Sequence, residues 1–160
     1  KYAMENPRMI IREKNNRSLF NFVQFFWSEY SSDPFVANWH IHILCKQLEQ
    51  IPYDVANGVP RKHDLLVNVP PGTSKTAITS IFFPLWCWTK WHWMRFITAS
   101  YGENLTLESA EYSRDIMRSQ LFRTIYPELE IKADKDTKGN FRPIKIEKPK
   151  EGNKSTWLCS

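Results

Sequence analysis

Lys75 and Thr76 close the stretch 68-NVPPGTSKT-76, which follows the apolar run Leu65-Leu66-Val67. A lysine and a hydroxyl residue opening a helix, just behind a tight loop, are the parts that phosphate recognition uses. Such a loop turns backbone N–H groups inward, and the helix N-terminus adds partial positive charge. Lys75 would reach the β- and γ-phosphates of a nucleotide, and the Thr76 hydroxyl would help to hold Mg2+. Gly72 would let the backbone approach a phosphate closely. The stretch departs from GxxxxGK[ST] at both glycines, with Val69 at the first place and Ser74 at the second. Ser74 must then adopt a backbone geometry usually left to glycine. Pro70 and Pro71 restrict the chain and lower the entropy cost of ordering the loop. The competing reading is a Pro-Pro-Gly turn before a helix that begins with Lys.

Other candidate chemistry is thinner. His40 and His42 are two apart, so on a helix they point nearly opposite ways and cannot share a metal. Cys87 and His92 lack two further ligands, and Cys87 has no base partner for nucleophilic work. Asp134 and Asp136 lie in a lysine-rich stretch and read as solvated charges. The run 82-FFPLWCWTKWHWMRF-96 interleaves rings with Lys90, His92 and Arg95, a pattern that can stack single-stranded bases. Core packing is the favoured reading of those tryptophans.

The elements that must position the loop follow from periodicity. Residues 1–16 are polar and basic and read as an arm. From Arg17 to Tyr30 the residues Leu19, Phe22, Val23, Phe26 and Trp27 fall at helical spacing, with Ser18 as a cap. The break 31-SSDP-34 ends that helix. A second helix is predicted over Asn38–Ile51, with Ile41, Leu44, Leu48 and Ile51 on one stripe, and a loop over 52–64. Leu65–Val69 reads as a short buried strand. Lys75 to about Trp88 reads as a helix that Pro84 must kink or shorten. The next strand lies within Trp91–Ala99. Strand, helix and strand in this order predict a right-handed crossover and a parallel sheet. A long helix over about Asn104–Ser119 follows. Past it, 132–143 read as an exposed loop, and Ile144–Glu147 and Ser155–Cys159 as two short strands.

The chain has 160 residues, 42% apolar and 24% charged, which suits one globular domain. Lys and Arg number 22 against 17 Asp and Glu, a net charge of +5 that is compatible with a polyanion and requires none. The three cysteines, Cys45, Cys87 and Cys159, are far apart, which favours free thiols over a disulfide framework. No stretch has the apolar length of a membrane span, and no signal peptide is visible. The start at Lys1 and the stop within 155-STWLCS-160 suggest part of a longer protein.

Taken in order, 40-HIHILCKQLEQI-51, Gly58, 65-LLVNVPPGTSKT-76, 82-FFPLW-86, 97-ITASYGENL-105 and 113-SRDIMRS-119 resemble the ATPase domain of tailed-bacteriophage terminase large subunits, the motors that package DNA. The resemblance covers about residues 38–128. It implies an α/β P-loop NTPase fold of the additional-strand type, with a central, mainly parallel sheet and N-terminal helices. Residues 17–160 would then be the N-terminal part of that ATPase domain, without the nuclease domain. It implies ATP and Mg2+ on Pro71, Gly72, Thr73, Ser74, Lys75 and Thr76, with Lys75 catalytic. Trp39 and His40 match a segment that relatives place near the adenine; packing of Trp39 in the core and local hydrogen bonding by His40 fit equally. Arg114 matches a recurrent Ser-Arg, whose arginine would act on a neighbouring subunit's γ-phosphate. A solvated Arg114, or one paired with Glu111 or Asp115, is the alternative. Ser100 and Tyr101 fall at the strand end where α/β ligands sit, or in an ordinary turn.

The resemblance also implies double-stranded DNA, a portal protein and a small terminase subunit as partners. It implies a homo-oligomeric ring, no membrane, and work in the host bacterial cytoplasm and transiently on the procapsid. Two features depart from the family. No apolar run ending in Asp-Glu supplies the acidic pair that hydrolysis needs, so this chain is expected to bind ATP far better than it hydrolyses it, and to be inactive as an ATPase on its own. Asp64 stands where many relatives have a basic residue. Other readings are a helicase-like translocase, a small-molecule kinase, or a non-enzymatic nucleic-acid-binding module.

Overall fold

The computed structural model describes residues 7–60, 63–132, 141 and 143–146. Its elements are mainly helices: α1 (Pro7–Arg17), α2 (Leu19–Phe26), a 3-10 turn (Trp27–Glu29), α3 (Trp39–Ala56), a π-helical turn (Ala77–Phe82), α4 (Phe83–Lys90), α5 (Glu103–Arg118) and α6 (Gln120–Ile125). Among the described residues one sheet forms, a pair of short antiparallel strands, β1 (Leu129–Ile131) and β2 (Pro143–Lys145). Leu129 faces Lys145 and Ile131 faces Pro143 in this register.

The α/β fold with a central parallel sheet is therefore corrected: the chain builds a helical core instead. Residues 65–69 and 93–99 join no strand ladder among the described residues. The physical reason lies in which faces they bury. Leu66 is 92% exposed and Ile97 is 98% exposed, so neither segment is covered on two sides as a central parallel strand must be. Each contributes one inward set only. Met94 is buried and Phe96 is half-buried, with the Phe96 ring edge-on to Phe83 at 5.8 Å and to Trp88 at 5.6 Å. Trp88 Nε1 also donates to the Met94 carbonyl at 2.9 Å. The helical core thus takes up those side chains, and outward backbone groups stay in water, where no ladder is required.

The core centres on the π-turn and α4. Ile78, Phe82, Leu85, Trp86 and Cys87 are fully buried, and α1, α2 and α5 pack around them. A residue run this apolar on all sides has no solvent face, as a central helix demands. Pro84 explains the irregularity. It has no N–H for the preceding turn and its ring crowds the carbonyl four residues back. The chain widens before it, and Phe83 N–H bonds to the Ile78 carbonyl five residues back. Pro84 then sits in the first turn of α4, where no donor is required.

The flanking helices follow their patterns. Leu19, Phe22, Val23 and Phe26 form the fully buried stripe of α2. Ser18 caps it, its side chain accepting from Asn21 N–H at 3.4 Å, and Glu49 of α3 accepts from Leu19 N–H at 2.5 Å. In α3 Ile41, Leu44 and Leu48 are buried and Ile51 half-buried, as the stripe predicts. The helix runs on through Pro52 to Ala56, beyond the expected end at Ile51. The polar N-terminal stretch is helical over Pro7–Arg17 and is held by long-range contacts. Arg12 pairs with Glu128, and Trp86 Nε1 donates to the Asn15 carbonyl at 2.9 Å. Phe22, Phe26, Phe122 and Tyr126 form a ring cluster between α2 and α6, with neighbouring centroids 4.8–6.3 Å apart. Much of the aromatic content is thus interior. The expected strand Ser155–Cys159 lies outside the described residues, as does most of the 132–143 loop.

Candidate functional site

The loop before Lys75 has an unusual backbone. Gly72 has φ +77° and Ser74 has φ +58°, and Ser74 is the only non-glycine with positive φ among the described residues. This is the geometry that the missing glycine of the pattern demands of Ser74. Glycine at 72 is required by conformation rather than by crowding: a Cβ there would meet nothing within 4 Å. Thr73 ties the loop together, its Oγ1 donating to the Pro70 carbonyl at 2.8 Å. Positive-φ residues alternating with ordinary ones turn successive N–H groups toward one side, the arrangement that receives anions.

Lys75 and Thr76 open the helical run that continues through the π-turn into α4. Ile78 N–H bonds to the Ser74 carbonyl at 3.0 Å, so the strained serine is also the residue that starts the helix. Thr79 Oγ1 donates to the Lys75 carbonyl at 2.9 Å. The Lys75 ammonium makes no ion pair or hydrogen bond with another described residue, although the residue is half-buried. An ammonium without a carboxylate partner among the described residues is available to a phosphate.

Thr76 borders a cavity of about 320 Å³ between the helix start, the 98–100 segment and α5. Its wall is rich in hydroxyls: Tyr30, Thr76, Ser80, Thr98, Ser100, Thr106, Ser109 and Tyr112 all contribute. Among the described residues one carboxylate, Glu108, completes it. Tyr30 and Tyr112 stand edge to face with centroids 5.0 Å apart. Burial first, then Tyr112 and Glu108, push the Tyr30 hydroxyl above its ordinary value, so it stays protonated at neutral pH.

The cavity has room for a hydrated divalent cation. Magnesium keeps most of its water and takes one or two protein oxygens. Six waters occupy roughly 180 Å³ at liquid density, which this space holds. The described residues contain no group of three or more His, Cys, Asp or Glu that could grip a metal unaided, so phosphates and water would supply most ligands.

The remaining sequence candidates fall in different places. Trp39 is 77% exposed at the start of α3, which removes core packing as its reading. His40 stands edge-on to Trp39 at 6.0 Å, and its Nε2 is buried without a hydrogen-bond partner. Neither borders the cavity. Arg114 is only 7% exposed, so it is not the solvated arginine of the alternative reading. Ser100 lines the same cavity as Thr76, whereas Tyr101 is fully exposed. Phe82, Pro84 and Trp86 of the Phe-x-Pro-x-Trp stretch are core.

Sequence reasoning missed Tyr30, Ser80, Glu108 and Tyr112. Ser80 could have been found, because it lies four residues after Thr76 in the same helical run and so on its face. Nothing local marks Glu108. No family model matches the chain, and no curated protein or solved structure is similar to it at a significant level. No helix among the described residues is long and apolar enough to cross a membrane.

Proposed function

We propose that residues 70–76 bind the phosphates of ATP with its Mg2+, and that the chain is the ATP-binding part of a DNA-packaging motor of the terminase type. One observation carries the phosphate half: Ser74 holds φ +58° immediately before the Lys75-Thr76 helix start. A left-handed serine costs about 1–2 kcal/mol, and strain of that size persists where surrounding structure and function maintain it. The loop N–H groups and the Lys75 ammonium would take the phosphates, and Thr76 would face the cation. Mg2+ would neutralise the phosphates and orient them. The motor half follows the sequence resemblance, and with it come ring assembly, the portal and small-subunit partners, and double-stranded DNA held mainly through its phosphates. Hydrolysis would proceed by in-line attack of water on the γ-phosphate, governed by positioning and charge.

The test is calorimetric titration of the chain with ATP–Mg2+, wild type against Lys75→Ala. The expected result is measurable binding that weakens at least tenfold on losing the ammonium. Absent binding in the wild type, or equal affinity in the variant, refutes the phosphate assignment. The motor half is tested separately, by ATP-dependent packaging of linear duplex DNA.

A further inference from the structure

The cavity beside Thr76 has the opposite charge character to the loop beside it. The loop side has the positive-φ backbone of Gly72 and Ser74, a conformation that favours anions, and the Lys75 ammonium, while the described cavity lining has hydroxyl residues and the Glu108 carboxylate. Lys75 does not border the cavity. Phosphates are drawn to the first surface and repelled from the second. A hydrated divalent cation has the reverse preference, and its water hydrogens need acceptors of the kind that Ser80, Ser100 and Glu108 present.

We infer that Glu108 is the acidic residue of the cation half of this site, accepting hydrogen bonds from the water shell of a divalent cation that Thr76 faces across the cavity. The inference deepens the proposed function and rests on ATP–Mg2+ binding at residues 70–76. Glu108 lies on α5, and α5 packs directly on the π-turn that follows Thr76, so the fold fixes the carboxylate and the hydroxyl on one cavity. The side chain is exposed and free to adjust to the cation. In the sequence no apolar run ends in an acidic pair, and Glu108 supplies an acidic group from a helix instead. Tyr30, protonated and adjacent, leaves Glu108 the one anionic side chain among the described residues that border the cavity.

The experiment uses the full chain, as wild type, Glu108→Gln and Glu111→Gln. Glu111 is exposed on the same helix and does not border the cavity, so it controls for the loss of one charge. ATP affinity is measured in EDTA and in Mg2+, and bound Mn2+ is counted by electron paramagnetic resonance. Glu108→Gln is expected to keep or slightly raise ATP affinity in EDTA. It should lose fivefold or more of the gain that Mg2+ brings, and weaken Mn2+ binding in the ATP complex to match. Glu111→Gln should behave as wild type. Equal Mg2+ gain in wild type and Glu108→Gln overturns the inference while leaving the phosphate loop intact. If no ATP binds at all, the proposed function fails and this inference, which rests on it, falls with it. Matching circular dichroism melts confirm that the exposed substitutions leave the fold unchanged.

Discussion

Trp86 Nε1 donates a hydrogen bond to the Asn15 carbonyl at 2.9 Å, joining the centre of α4 to the end of α1. The indole is fully buried, and Lys90 places its ammonium 3.5 Å from the ring centroid. Trp86→Phe removes the donor, leaves a buried carbonyl unsatisfied, opens a void and weakens the cation–π contact. The expected loss is about 3 kcal/mol, since the unsatisfied carbonyl and the void each cost about 1–3 kcal/mol. For a chain of this size that lowers Tm by roughly 6–12 °C. A thermal melt checks it, and a shift below 2 °C would show that the bond and the packing contribute little.

Ser74 is the second place where a single residue can be tried. Its left-handed backbone costs a non-glycine residue about 1–2 kcal/mol, which glycine would relieve. Glycine also adds freedom to the unfolded chain, costing about 0.5–1 kcal/mol. Ser74→Gly should therefore change stability by less than about 1 kcal/mol and leave ATP affinity within twofold. Valine, branched at Cβ, resists positive φ much more strongly. Ser74→Val should destabilise the fold and weaken ATP binding at least tenfold. A valine variant that binds as wild type does would mean that the loop backbone is free to relax.

How far the sequence revealed this arrangement depends on where the information sits. The stripes of α2 and α3, the Ser18 cap and the demand on Ser74 are local, and each was legible from spacing or from a missing glycine. The disturbance at Pro84 was legible too, although its form, a widened turn before the proline, was not. The sheet was misjudged because an apolar run reports burial only when its partners are known. Leu65-Leu66-Val67 looks like a central strand, yet strand pairing is a property of distant segments. Glu108 was invisible for the same reason, since only the packing of α5 on the π-turn brings it to Thr76. The α1 helix was hidden by its polar composition, because its burial is concentrated at Asn15.

The buried thiols predict a response to alkali. Burial pushes Cys45 from its ordinary 9.0 to about 12, with Glu49 adding to the shift. Cys87 is pushed higher still by burial, against a smaller opposing effect of Lys90. Burial also raises Tyr126. In each case the folded state keeps a proton that the unfolded chain releases. Stability from these groups is thus fully present below pH 9 and is lost as pH rises toward 12. Urea midpoints should be flat from pH 7 to about 8.5 and fall steadily above 9. In a Cys159→Ser background, the two remaining thiols should resist alkylation at pH 8 until urea unfolds the chain. Rapid labelling of the native form would contradict their burial.

The exposed faces of the two loop-like segments supply the sharpest test of the helical architecture. In a central parallel strand, Leu66 and Ile97 would be buried, and a polar replacement would cost several kcal/mol. Here their side chains are 92% and 98% exposed. Leu66→Ser and Ile97→Ser should therefore change stability by no more than about 0.5 kcal/mol, as ordinary surface changes do. Inward neighbours should behave otherwise. Met94 is 7% exposed among the rings of the core, and Met94→Ser removes its packing and buries a hydroxyl. That change should cost about 3 kcal/mol. Urea denaturation of the three variants measures the contrast directly. Equal, large losses at Leu66, Ile97 and Met94 would mean that the segments are covered on both faces, which the helical core does not do.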